Sequence, residues 1–247
     1  MTTASASREP TVSSSRVRLG AVSLALAGIL FVLYPLLRPY SDEVSLQGAA
    51  AFASPAWILA HLLGVVGFIF VTLGLLGLSS ALQHTAARRL ASLALVLAWI
   101  GVGLILPYYG AEMFGLRALG QEALRQHSPA LLSLVDAVRL GPGAIVFGVG
   151  LLMLAIGAIL VALAVWRSGT LSRWSGLPFA LGFVLYLPQF FGTPPIRVAH
   201  GFLVALGCLW VAVSLVRSQS PPSPLLERHT PESGKHRTDK DVRQISV

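Results

Sequence analysis

Cysteine is almost absent from this chain. The single one, Cys208, lies in an apolar run, so no disulfide can form within the chain and no thiolate cluster can hold a metal. Asparagine is missing altogether, which removes any N-glycosylation acceptor. Charge is scarce as well: charged residues make up 11% of the 247, whereas soluble domains carry about 25%. A chain so poor in charge cannot cover a water-facing surface, and lipid must cover most of it. Lysine is the scarcest charge, two against sixteen arginines, a codon-level trait of GC-rich bacterial genomes.

What is present is apolar. Hydrophobic residues make up 55% of the chain, and the mean hydropathy is +0.74. Six runs reach or approach the roughly 20 apolar residues that cross a bilayer: about 19–37, 55–82, 90–114, 143–166, 174–191 and 195–216. They predict an all-α integral membrane protein, a six-helix transmembrane bundle over 19–216. Residues 1–18, rich in Ser and Thr, read as a disordered N-terminus, and 217–247 as a disordered, mixed-charge tail. A cleavable signal peptide is the rival for the first run, but the apolar residues continue past its Ala25-Leu26-Ala27 cleavage signature. The polar connection 38–54 ends at Ser54-Pro55, a cap and first-turn pair that opens the second run. Between the third and fourth runs, 115–140 is the only substantial amphipathic region. Ser128-Pro129 opens a short helix there, with Leu131, Leu132, Val135 and Val138 on one side and Asp136 and Arg139 spaced to pair on the other. It reads as an extracytoplasmic helix lying over the bundle mouth.

The arginines orient the bundle. With both termini cytoplasmic, thirteen of the eighteen basic residues lie inside and five outside: Arg38, Arg117, Arg125, Arg139 and Arg197. The ten acidic residues split evenly, so the net +8 is entirely cytoplasmic (13 − 5 = 8 inside, 5 − 5 = 0 outside). Charge therefore reports topology in the cell membrane, and no nucleic-acid partner is needed. Small residues predict how the helices meet, since close packing replaces the hydrophobic force that lipid abolishes. Gly143, Gly150 and Gly157 line one face of the fourth run. Ala60, Gly64, Gly67, Gly74 and Gly77 line the second, and Ala94, Ala98 and Gly101 the third. Gly148-Val149-Gly150 sits inside a spanning helix with no strand before it, and is not a nucleotide fingerprint.

Ionisable groups within a span are costly and are functional candidates by default. The stripe of the third run continues through Ile105 and Tyr108 to Glu112, with Pro107 able to rotate its phase. His61 stands about two turns into the second run, and Arg197 and His200 share a face at the start of the sixth. All four fall within about two turns of the outer surface and outline a pocket, with Trp57, Tyr108, Tyr109, Tyr186 and Gln189 as walls. One reading makes Glu112 and Arg197 a buried pair, the histidines bonding backbone carbonyls. Another makes Glu112 a general acid or base, His61 and His200 proton relays, and Arg197 the anchor of an anionic substrate, with Tyr108, Tyr109, Trp57 and Gln189 lining it. Two histidines and a carboxylate are also a reasonable metal shell, and two histidines a haem pair, but no spaced motif supports either and no cofactor is expected. Hydrolase elbows and P-loops are absent. Three plus three spans permit an inverted-repeat transporter, but the nearest internal echo, 55–61 against 194–200, breaks that register. The expectation is a multi-pass protein binding a lipid, a membrane partner protein or a second copy of itself. A small enzyme acting on a lipid or isoprenoid-like substrate comes second, and a solute carrier third.

Overall fold

The computed structural model describes residues 14–219; of the segments expected to be disordered, 1–18 and 217–247, residues 1–13 and 220–247 lie outside the described residues, while 14–18 and Arg217 are helical. Every regular element among the described residues is helical: α1 (Ser14–Leu37), α2 (Leu46–Ala53), α3 (Pro55–Ala81), α4 (Arg88–Gly110), α5 (Leu116–Arg125), α6 (Leu134–Arg139), α7 (Pro142–Ser168), α8 (Gly176–Val184) and α9 (Pro194–Arg217). A π-helical turn, Ala111–Gly115, joins α4 to α5, and 3-10 turns at Pro129–Ser133 and Pro188–Phe191 precede α6 and α9. Five helices are long and apolar enough to cross a membrane: α1, α3, the continuous Arg88–Arg125 rod, α7 and α9.

These helices form a closed ring in the order α1, α3, α4, α7, α8, α9, each antiparallel to its neighbours. Small residues set the spacing. Gly20 and Gly77 face each other so closely that a Cβ on either would lie 2.5 or 2.6 Å from the other's Cα. Gly101 and Gly150 bring α4 against α7 in the same way, and Gly157 meets Ala94 further along. The seven-residue glycine spacing of α7 thus faces the small stripe of α4, as its sequence predicts. In the centre of the ring, Phe31 stands edge-on to Phe68, Phe183 and Tyr186, with ring centroids 5.0, 5.9 and 5.8 Å away.

Four boundaries differ from the sequence reading. The first helix starts at Ser14, ahead of the apolar run, because Val17 is fully buried in the core. Residues 46–53, expected as connection, are helical: Ser45 caps the first turn by accepting from Gln47 N, and Ala49 and Phe52 are buried. The third run does not stop near 114 but passes through the π turn to Arg125, where His127 in left-handed backbone (φ 50°) ends it. The fifth run, 174–191, is not one helix. Pro188 has no N–H and its ring clashes with the carbonyl four residues back, and α8 ends at that residue, Val184. The broken segment still runs the length of α9, from Ser172, whose N–H donates to Ser214 Oγ at 2.8 Å, to Phe190 beside Arg197.

The amphipathic region builds a cap. α2, α5 and α6 close over one end of the ring around a second small core of Ala49, Phe52, Trp57, Leu116, Ala123, Leu132 and Val135. Leu131 and Val138 pack against it, as the expected apolar face requires. Its polar face does something else: Arg139 does not pair with Asp136 but turns inward.

Candidate functional site

Beneath the cap the chain assembles a charged network that no local spacing encodes. Pro107 interrupts the hydrogen-bond ladder of α4, and within a turn the helix widens into the π turn that carries Glu112. The Glu112 side chain is nine-tenths buried and receives both arms of Arg139, Nε to Oε1 at 2.5 Å and Nη2 to Oε2 at 3.0 Å. The third arm, Nη1, donates to Glu43 Oε2 at 2.5 Å, and Glu43 Oε1 accepts from Arg38 Nη2 at 3.0 Å. Two guanidinium groups and two carboxylates alternate in one chain across three segments, the 38–45 connection, the π turn and α6, so the network is neutral. Burial raises the Glu43 carboxyl, but the bonds and charges of Arg139 and Arg38 outweigh it and hold that group below the ordinary glutamate range. Glu43 also adopts left-handed backbone (φ 58°), uncommon outside glycine, and Gly48 lies so close beneath it that a Cβ would come within 2.6 Å of the Glu43 Cα. The network holds this strained residue in place.

His61 and Trp57 complete the cluster from α3. Trp57 is fully buried, donates Nε1–H to the Glu112 carbonyl at 2.8 Å and lies under the Arg38 guanidinium, 4.6 Å from its ring centroid. His61 Nδ1 lies 2.7 Å from the Trp57 carbonyl. A carbonyl only accepts, so Nδ1 carries the proton and Nε2 faces Glu112 Oε2 across 3.8 Å. That is too long for a hydrogen bond, and a proton would be shared only if the two closed by about 1 Å. Tyr108 donates to the Arg139 carbonyl at 3.4 Å.

Arg197 does not pair with Glu112. The expected ion pair is absent because the turn after Pro188 leaves carbonyls without helical partners, and backbone groups away from water must be satisfied locally. Arg197 Nη2 donates to Phe190 O at 2.6 Å and Nε to Gly192 O at 3.2 Å; His200 Nε2 donates to Gly182 O at 2.7 Å. Both histidines therefore bond backbone carbonyls. Among the described residues no group of three metal-ligating side chains forms.

The expected single pocket is thus two clusters. Glu112, His61, Trp57 and Tyr108 belong to the network under the cap. Arg197, His200, Gln189 and Tyr186 line a cleft against Phe31, Tyr34 and Pro35 of α1, with room for about one water. Tyr109 spans the gap: its hydroxyl bonds that of Tyr186 at 2.8 Å, while its ring lies 6.0 Å from that of His61. In the cleft two groups are unmatched. Arg197 has no ion-pair partner among the described residues, and the Gln189 side chain, in a residue only 7% exposed, has no hydrogen bond to any of them. The sequence reading missed Arg38, Glu43 and Arg139 as site residues. Arg139 stood out only as a partner for Asp136, and the left-handed turn at Glu43 has no sequence signature. Compared with protein-family models, with curated proteins and with solved structures, the chain matches none of them.

Proposed function

We propose that the protein is a non-catalytic component of the cell membrane, with six crossings and both termini cytoplasmic, that binds the anionic headgroup of a lipid or lipid-like amphiphile at its outer end. In this reading the sixth crossing is the broken segment around α8. Broken helices at membrane depth occur where they are buried in protein or line a cavity. The observation that carries the reading is the pair of unmatched groups in one cleft: Arg197, a cation with no carboxylate, and Gln189, an amide with no partner. An oxyanion at the mouth of the cleft satisfies both, its tail lying against the exposed Phe191 and Ile196. The narrowness of the cleft favours a headgroup tip over an enclosed substrate, since sites that enclose small molecules measure about 300–1,000 Å³.

A membrane-embedded enzyme using Glu112 is the second reading, and the approach of His61 Nε2 to Glu112 Oε2 favours it. Against it, Arg139 already neutralises that carboxylate. Native mass spectrometry of full-length protein from one host separates the two. On our reading, Arg197→Gln loses a co-purifying anionic lipid that Glu112→Gln keeps. Equal lipid profiles in wild type and Arg197→Gln sink the binding reading.

A further inference from the structure

At the opposite end of the ring, charge and shape point to a second site. The described residues place seven exposed arginines there, Arg16, Arg18, Arg88, Arg89, Arg167, Arg173 and Arg217, and none makes an ion pair with a described residue. All five described carboxylates, Asp42, Glu43, Glu112, Glu122 and Asp136, lie at the capped end. Exposed tryptophans mark the same band: Trp166 and Trp174 meet edge-on with centroids 4.8 Å apart, Arg173 lies over Trp166 at 5.5 Å, and Trp210 follows on α9. Tryptophans gather where hydrocarbon gives way to headgroups.

In that band, the turn after α7 and the last turns of α9 enclose a cleft of about 190 Å³ lined by Thr170, Ser172, Trp210, Ser214, Arg217 and Ser218. Two of its backbone N–H groups are already used: Ser214 Oγ accepts from Ser172 N at 2.8 Å, and Ser168 Oγ from Thr170 N at 3.3 Å. Three donors are not used. Thr170 Oγ1, Ser172 Oγ and the Arg217 guanidinium make no hydrogen bond to any described residue, and all three line the cleft.

We propose that this cleft binds the phosphate of an anionic phospholipid from the surrounding bilayer. Arg217 supplies the charge, Thr170 and Ser172 the hydroxyl donors, and Trp210 the wall for the glycerol backbone. Arginine suits this role because its planar fork matches phosphate oxygens. The site is independent of the Arg197 cleft, at the other end of the same helix.

The test uses the full chain in nanodiscs of phosphatidylcholine doped with phosphatidylglycerol, with retained lipids counted by native mass spectrometry. Wild type retains phosphatidylglycerol preferentially. Arg217→Gln lowers that preference about fivefold, the effect of one basic residue at an anionic surface. Thr170→Val with Ser172→Ala lowers it with no change of charge, a second arm that stands if Arg217→Gln folds poorly. Arg88→Gln, at the same end but outside the cleft, leaves it nearly unchanged. An equal loss in Arg88→Gln and Arg217→Gln overturns the site in favour of diffuse surface charge. Absence of any wild-type preference also overturns it, and displacement of the lipid by inorganic phosphate overturns the lipid as its ligand.

Discussion

The two ends of the ring use arginine in opposite ways. At the capped end, five arginines stand with five carboxylates, and Arg38 and Arg139 are bonded to Glu43 and Glu112. At the other end, seven described arginines stand with no described carboxylate, and all are exposed. Matched charge inside protein fixes geometry, tying a strained loop, a widened helix and the cap to one another. Unmatched charge at the edge of a bilayer costs little because water and headgroups solvate it, and its information is topological. Arg197 and Arg117 are the exceptions at the capped end, cations bonded to backbone carbonyls and to no carboxylate.

The sharpest break of that comparison is all-or-none. A cysteine at Gln126, exposed on the cap, should react with an impermeant thiol reagent added to intact cells, and one at Ala86 should not; the native Cys208 is buried and silent. The reverse pattern inverts the proposed orientation. Next in size is the Glu112–Arg139 pair. Removing one partner of a buried pair costs about 3–5 kcal/mol, because the other is left uncompensated. Glu112→Gln and Arg139→Leu should each lower the unfolding midpoint in detergent by a corresponding amount, and the double variant by clearly less than their sum. Glu112→Gln with Arg197→Gln should instead be additive, since the two groups do not meet.

His200→Ala should cost about 1–3 kcal/mol by leaving the Gly182 carbonyl unsatisfied where Pro188 broke the helix. Full stability in that variant, read by thermal unfolding, would free His200 for another role. The smallest expected effect is on pH dependence. The Glu43 carboxyl is held below the ordinary glutamate range, so its contribution is present above about pH 4.3 and fades as pH falls through its lowered folded value. The stability gap between wild type and Glu43→Gln should therefore be constant near neutrality and close on acidification. A gap that widens in acid would contradict the pairing.

Much of the bundle was legible because its signals are local. Apolar length marks five long helices, and the glycine stripes of α3 and α7 name the faces that meet. Glu112 and His61 were recognisable as ionisable groups within or beside apolar runs, and their shared height in the bundle followed from helical rise. The break in the fifth run was also local, in Pro188, but an apolar run with one proline reads as a span until the ladder is followed residue by residue. Residues 46–53 escaped notice because an alanine-rich segment of eight residues carries little periodicity.

The partners of those charges were decided elsewhere. Glu112 is 27 residues from Arg139, Glu43 is 96 from it, and Trp57 is 55 from the Glu112 carbonyl it bonds. Depth narrows the choice of partner but cannot say which side of a helix a residue faces once a proline and a π turn have rotated it. Arg197 and Arg139 were equally available to Glu112 by charge and depth. What separated them was the backbone broken at Pro188, whose bare carbonyls engage Arg197, and the folding of the cap, which brings Arg139 down. The chain alone determined an all-helical protein with helices apolar enough to cross a membrane and the end at which its unpaired arginines gather; which charge meets which was settled by close packing of the ring, where each buried polar group must find its partner among its neighbours.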